Sequence, residues 1–236
     1  MNRNLYLFVL LMSLAFPLAS CNDEEVQDPK AAIVKETDFN LGADGWVAVY
    51  AEFPQKDTAF YELEHGIQSL PTPLDATKKG FMLSGNNHSD ALQMYLSRQI
   101  SGLDPNTNYS IETEVELASM YPSGSVGIGG SPGNAVHLVS KFSTLGYTLE
   151  PGKSEQDNVK LVLNKQGSVL EQDLGDVSIS SDQYVYQLIN RKKSSASQMV
   201  KSDQNGKLWA VVGTWSGFEG ITTLYYTKIK ITLTKM

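Results

Sequence analysis

The chain has 236 residues, 26 Asp and Glu against 19 Lys and Arg, a formal charge of -7, 41% hydrophobic residues and one cysteine. This composition describes a folded, acidic body of one large or two small domains, not a disordered or wholly membrane-embedded chain. A single Cys excludes an intramolecular disulfide and the zinc arrangements built on several thiolates, and the acidic balance argues against nucleic acid as a partner, since phosphate binding needs a basic footprint.

From the N-terminus, Asn2-Arg3-Asn4 supplies one positive charge, and Leu5 to Leu18 is an apolar run too short to span a bilayer comfortably. That is the pattern of a secretory signal. It leads into Leu18-Ala19-Ser20-Cys21, which resembles the lipobox of bacterial lipoproteins. The resemblance implies that residues 1–20 are removed and that Cys21 becomes a mature N-terminus thioether-linked to diacylglycerol. The alternative is an ordinary signal peptide followed by a buried free Cys. Each acyl chain contributes about 0.8 kcal/mol per buried CH₂, so two or more chains hold a protein at a surface without spanning it. Residues 21–30 read as a flexible acidic tether, with Asn22-Asp23-Glu24-Glu25 followed by a stiffening Pro29. The acidic cluster resembles the export signal of Bacteroidota lipoproteins carried to the outer face of the outer membrane; a merely solvated linker is the alternative. The expected location is therefore the outer membrane, lipid-anchored and exposed at the cell surface.

Beyond residue 30, period-two alternation recurs and no helical periodicity is sustained. The expected strands, in chain order, are Trp46 to Phe53, Ala59 to Glu64, Gly80 to Leu83, Ala91 to Ile100, Tyr109 to Leu117, Ala135 to Phe142, Val159 to Asn164, Tyr184 to Ile189, Leu208 to Gly213 and Leu224 to Leu233. Tyr109 to Leu117 is the cleanest, with Tyr109, Ile111, Val115 and Leu117 on one face and Ser110, Glu112, Glu114 and Glu116 on the other. In the last strand, Lys228 and Lys230 share one face, and Tyr225, Ile229, Ile231 and Leu233 are assigned to the other. About ten strands separated by Gly, Asn and Pro turns predict an all-β, two-sheet antiparallel sandwich or jelly roll with little helix, formed by residues 31–236 as one domain.

Three stretches resemble extracellular carbohydrate-binding jelly rolls. Gly102-Leu103-Asp104-Pro105-Asn106-Thr107-Asn108-Tyr109 is similar to the corner that introduces their central strand, Leu224 to Ile231 to their closing strand, and Asp38-Phe39 with Gly45-Trp46 to their opening one. The corner has a physical basis: Pro105 sets a turn φ, and Asn106 and Thr107 can satisfy local backbone groups before Tyr109 enters the core. With Asn86 to Leu92, Gly127 to Gly133 and Gly213 to Gly220 added, the pattern resembles a bacterial family of secreted proteins of undefined function. That resemblance implies a fold and no chemistry. Many such modules carry a closing-strand Asp that binds a structural calcium; here Thr227 or Lys228 occupies that neighbourhood, so calcium is doubtful and no other cofactor is implied.

No catalytic or metal-ligating set is assigned. Gly127-Ile128-Gly129-Gly130-Ser131-Pro132-Gly133 fails as a dinucleotide loop, because Pro132 replaces the last glycine and no helical pattern follows. It also fails as a nucleophile elbow around Ser131, since Pro132 has no N–H to donate to an oxyanion. Glu112, Glu114 and Glu116 line a strand face about 7 Å apart, a row that suits cross-strand pairing with Lys or Arg better than glycosidase chemistry. No Glu-x-Asp-x-x-Glu glucanase pattern is present; the nearest run, Glu171 to Asp176, ends in Asp. His65, His88 and His137 offer no short ligand pair.

Aromatic residues give the functional lead. In Trp46 to Phe53 the set Val47, Val49, Ala51 and Phe53 is the more uniformly apolar, which predicts that Trp46 and Tyr50 point outward. Large exposed rings flanked by polar groups suit stacking on the apolar faces of sugars. Trp46, Tyr50 and Trp215 are the expected stacking residues, with Asn87 and Glu219 taking hydroxyl hydrogen bonds; Trp209 is expected to be buried. The leading expectation is a non-catalytic, membrane-tethered module for a polysaccharide or other polymer. The alternatives are an adhesive envelope lipoprotein that recognises an unidentified protein, and a glycan-cleaving enzyme using a convergent pair among Glu112, Glu114, Glu116, Asp44 and Glu219.

Overall fold

A computed structural model describes residues 32–154, 156–195 and 198–236; the apolar leader, Cys21 and the acidic tether lie outside the described residues. The alternating segments assemble into two antiparallel sheets, each burying one face against the other, as expected for a sandwich. The first sheet is organised on β14 (Gly220–Lys235), which pairs along one edge with β6 (Asn108–Ser119). Along its other edge it pairs first with β4 (Lys79–Asn87) and then with β1 (Ala32–Asp38). Outside these lie β3 (Glu64–Ser69) on β4, and β11 (Gln187–Ser194) with the short β12 (Val200–Lys201) on β6.

The second sheet runs in the order β10 (Val169–Asp176), β7 (Val136–Ser143), β13 (Leu208–Ser216), β5 (Gln93–Ile100) and β2 (Val47–Ala51). A separate hairpin of β8 (Tyr147–Glu150) and β9 (Lys160–Leu163) lies over its outer face. There Tyr147 and Leu161 pack on Val49, Tyr95 and Val211.

Fourteen strands are present among the described residues, against about ten expected. The additional ones are β1, β8, β10 and β12. β10 escapes a period-two reading because its inward residues are Leu170, Gln172 and Leu174, so a polar side chain interrupts the apolar series. The strand expected at Ala59 to Glu64 is corrected: a 3-10 turn at Gln55–Asp57 leads into a turn over residues 58–62, and β3 starts only at Glu64.

In β14 the inward residues Leu224 and Tyr226 are followed by Ile229, Ile231 and Leu233, so the alternation changes phase once. The pairing with β6 shifts between Tyr226 and Lys228, and the extra residue, Thr227, donates its hydroxyl to the Glu116 carbonyl at 3.0 Å and carboxylate at 2.7 Å. Such a bulge keeps both halves of the strand facing the core. It also reverses the face expected for Tyr225, which lies on the outer side.

The antiparallel pairings define two poles. The segments 52–63, 88–92, 120–135, 177–186 and 217–219 gather at one, here called distal. The chain enters β1 at Ala32, paired with Thr234 at the end of β14, so the entry pole is opposite, roughly 50 Å away along a sixteen-residue strand. At the entry pole the expected corner forms: Tyr109 is buried, its hydroxyl accepts the Asp104 N–H at 2.8 Å, and Thr107 donates to the Pro105 carbonyl at 3.0 Å.

Between the sheets a buried amide joins β10 to β6. Gln172 Oε1 accepts from Thr113 Oγ1 at 2.7 Å and Ser140 Oγ at 2.9 Å, while Nε2 donates to the Ile111 carbonyl at 3.1 Å. A buried polar group left without its partner costs more than the net value of the bond it made. Gln172→Leu is therefore expected to lower stability by about 2–3 kcal/mol, read as a reduced urea midpoint with an unchanged denaturant slope.

Candidate functional site

The two faces of β2 are both covered, one by the opposing sheet and one by the β8–β9 hairpin, and this decides where its aromatic residues go. Trp46 is only 4% exposed and belongs to the main core, while Val49 packs beneath the hairpin. The indole N–H of Trp46 donates to Thr37 Oγ1 at 3.0 Å. The same hydroxyl accepts from Arg98 at 2.9 Å and donates to Asp44 at 2.8 Å, and Arg98 closes the network with an ion pair to Asp44. Tyr50 follows Trp46 on the inward side, packs against the core, and donates its hydroxyl to the Glu64 carbonyl at 2.5 Å. Burial, reinforced by the Glu64 charge, pushes that hydroxyl well above the ordinary tyrosine range. The outward orientation expected for Trp46 and Tyr50 is thus corrected: the hairpin supplies the second apolar environment that makes the Val face look like the core.

Asn87 is also corrected as a candidate. It is 1% exposed, and its Nδ2 donates to the Ser216 and Phe218 carbonyls at 2.9 and 2.7 Å. Its Oδ1 accepts the Ser89 and Leu92 N–H groups at 3.1 and 3.3 Å. The side chain ties two distal turns together and has no donor left for a ligand. Glu219 is partly exposed in the β13–β14 turn, where its N–H donates to the Ile128 carbonyl at 2.8 Å.

Trp215 is different. It is 40% exposed near the distal end of β13, on the outer face of the second sheet and beyond the hairpin. Its ring stacks on His137 with centroids 4.4 Å apart and planes 13° from parallel. In register with it lie Gln93 on β5 and His137 on β7, and Asp176 on β10 faces His137. The row Asp176, His137, Trp215, Gln93 therefore crosses four strands with two stacked rings at its centre. Burial acts to raise the Asp176 carboxyl, but bonds from Ser178 and Asn134 and the nearby Arg191 hold it below its usual value.

In the next row Gly213 replaces a side chain. A Cβ there would meet the Met94 carbonyl at 2.1 Å and the Tyr95 ring at 2.8 Å, so the glycine allows the β5 backbone and that ring to lie close against the strand. Lys141 Nζ stands 6.0 Å from the Tyr95 ring and pairs with Glu171 at 2.7 Å. Burial first, then the charges of Glu171 and Glu52, keep the Tyr95 hydroxyl protonated far above its ordinary range. The ring pair is thus bordered in register by the Gln93 amide and the Asp176 carboxylate, while Tyr95 is buried and Lys141 and Glu171 lie further along the sheet in the Val211 row. Such a surface can stack a flat apolar face and hydrogen-bond the groups at its rim. Nothing in the sequence marks Gln93 and His137 as neighbours of Trp215; only the pairing register, which brings them beside it, identifies them.

The other candidates do not converge. Glu112 pairs with Lys192 at 2.8 Å, Glu114 accepts from Asn190 at 2.9 Å and Glu116 from Thr227, all on the outer face of the first sheet. Asp44 is at the entry pole and Glu219 at the distal one. Each histidine lies against a different ring: His65 near Tyr50 at 5.9 Å, His88 stacked on Phe60 at 3.9 Å, and His137 on Trp215. Among the described residues no three His, Cys, Asp or Glu side chains cluster. At the closing-strand position considered for calcium, the Thr227 hydroxyl is bonded to Glu116 and Lys228 lies 3.6 Å from Glu36. Ser131 bonds to Ser125 at 3.2 Å and to its own loop, and a Cβ at Gly129 would meet the Gly217 carbonyl at 2.0 Å. The glycine run is thus a close backbone contact between two distal loops.

No family model matches the chain, and no curated protein matches it in sequence. Among solved structures it is similar to the enzymatically active domain of a tailspike protein of bacteriophage CBA120, at 9% identity over 84% of this chain and 20% of that one, with a TM-score of 0.37. It is similar to a carbohydrate-binding module in complex with β-1,4-galactotriose, at 9% identity over 82% and 92%, TM-score 0.40. It is also similar to the K3 cleaved adhesin domain of Lys-gingipain from Porphyromonas gingivalis W83, at 12% identity over 86% and 99%, TM-score 0.36. Other carbohydrate-binding modules are among the matches. Likeness at this level concerns architecture and carries no argument about a ligand.

The two tryptophans are expected to separate experimentally. Trp46→Ala removes a core ring and a satisfied N–H and lowers stability by about 3–5 kcal/mol. Trp215→Ala costs about 1 kcal/mol or less. Urea denaturation measures both, and acrylamide quenching of the native protein is expected to fall on Trp215→Ala.

Proposed function

We propose that this chain is a surface-displayed lipoprotein whose β-sandwich binds a glycan, without cleaving it, by stacking a sugar ring on Trp215. The observation that carries the reading is the exposed Trp215 ring, stacked on His137 and bordered by Gln93 and Asp176. A pyranose ring offers an apolar C–H face and a rim of hydroxyls, which matches an exposed indole with amide and carboxylate groups beside it. The network around Arg98 and the pairing of the Glu112 to Glu116 row leave those carboxylates in structural roles.

The lipobox-like run before Cys21 supports lipid anchoring at that residue, and the acidic segment after it supports display at the cell surface. The position of Ala32 is consistent with this reading, since a tether joined there leaves Trp215 at the pole away from the membrane. A second reading, recognition of a protein by an adhesive lipoprotein, is favoured by one observation: Val126 is 96% exposed at the tip of a distal loop, with Ile128 exposed beside it.

Affinity electrophoresis through gels containing soluble polysaccharides tests the first reading. Retardation is expected for the parent protein in at least one neutral polysaccharide, with loss of roughly tenfold or more in affinity for Trp215→Ala. Retardation that is absent throughout, or indifferent to Trp215, counts against it. For the anchor, Cys21→Ser is expected to move the protein from the membrane to the soluble fraction and to abolish incorporation of a labelled fatty acid; retention in the membrane with no label in the parent protein refutes it.

A further inference from the structure

The hairpin covers only the second sheet, and the outer face of the first is divided at the Thr227 bulge. On the entry side it carries the Glu112, Glu114 and Glu116 row, set against Lys192, Lys228 and Lys230 on the flanking strands. On the distal side it is aromatic. Tyr225 lies in register between Ala118 and Met82, two buried residues that form a floor. Tyr186, just before β11, meets Tyr225 edge to face at 5.6 Å and 86°. Tyr184 and Leu188 extend the strip and are exposed.

Two features of this strip argue for a sugar polymer. First, hydrogen-bonding groups are interleaved with the rings: Ser84 and Thr223 share a hydroxyl contact at 2.7 Å, and Asn86 donates to Glu62 at 2.9 Å. A continuous aliphatic surface of the kind that protein cores favour at interfaces is not what this face presents. Second, the adjoining charged half sets Glu36, Glu112, Glu114 and Glu116 against Lys192, Lys228 and Lys230, so its small excess is acidic and disfavours an anionic polymer. Half-exposed tyrosines with hydroxyl and amide neighbours, beside a mildly acidic surface, suit an uncharged polysaccharide.

The geometry points to this tyrosine face as a second polysaccharide-binding surface, so that one domain holds two neutral glycan chains at once. The inference takes its ligand class from the Trp215 reading but concerns the opposite face. The two sheets pack about 10 Å apart, and Trp215 lies on the outer face of one while Tyr186 and Tyr225 lie on the outer face of the other. One sugar strand cannot lie on both. The consequence is crosslinking: each protein joins two polymer chains.

The test uses the soluble Cys21→Ser chain with galactomannan, xyloglucan and mixed-linkage β-glucan, followed by affinity electrophoresis and light scattering. The parent protein is expected to be retarded and to raise the scattering of at least one polymer severalfold. Trp215→Ala and the double variant Tyr184→Ala with Tyr186→Ala are each expected to remain retarded but to lose crosslinking, with avidity falling roughly 100-fold. Nitration of Tyr184 and Tyr186 by tetranitromethane in the unmutated face is expected to be suppressed by the same polymer, a readout independent of variant folding. Crosslinking that persists in the tyrosine variant, or nitration unchanged by polymer, overturns the inference. So does a parent protein that dimerises or captures a protein through this face, with the tyrosine variant losing that association. If Trp215→Ala changes nothing while the tyrosine variant abolishes retardation, the Trp215 reading fails and bivalency fails with it. If only Trp215→Ala abolishes retardation, the Trp215 reading stands and the second face is refuted.

Discussion

The backbone ladder of β14 is the constraint on which the first sheet depends. Its sixteen residues are paired with β6 on one edge and with β4 and β1 in turn on the other, so the order of that sheet follows from satisfying one strand's peptide groups. A one-residue slip in a strand exchanges its two faces. Thr227 absorbs such a slip locally, so that Leu224 and Tyr226 before it and Ile229, Ile231 and Leu233 after it all reach the same core. Without the extra residue, half of the strand would present its aliphatic side chains to water. The bulge also decides that Tyr225 faces outward, and it places the boundary between the aromatic and the charged halves of the outer surface.

The second sheet solves a different problem, because it is apolar on both sides. Tyr95, Val211 and Val49 on its outer face need cover, and the β8–β9 hairpin provides it with Tyr147 and Leu161. The cover stops short of the distal end of β13, where Trp215 lies over His137 instead. The candidate site is thus a stretch of this surface that the hairpin leaves open. Its neighbours are set by register alone, since Gln93, His137 and Asp176 are separated in sequence by long intervals and meet only through the ladder of β5, β13, β7 and β10.

This explains what can be read from sequence. β6 alternates cleanly, and the corner from Gly102 to Tyr109 carries its own turn chemistry, so both are legible. β10 is not, because Gln172 faces inward and is satisfied there by Thr113, Ser140 and the Ile111 carbonyl. Trp46 reads the wrong way round because a two-sided strand offers two plausible cores, and only the covering hairpin distinguishes them. Asn87 follows the same course in miniature: a polar residue in a turn-rich segment resembles a ligand group until its hydrogen bonds to neighbouring turns are seen. Trp215 is legible as a loop-end aromatic, whereas its stacked partner requires the fold.

The placement of β1 has a mechanical consequence. It runs antiparallel to β14, with all seven residues in register from Ala32 opposite Thr234 to Asp38 opposite Lys228. A load held at Ala32 and applied at the distal loops acts along the strand axis. The seven paired residues then resist in shear and share the force across the whole ladder, whereas peeling would break their bonds in succession. A domain gripped at one pole and pulled from the other is therefore loaded in the direction in which its first strand is hardest to extract.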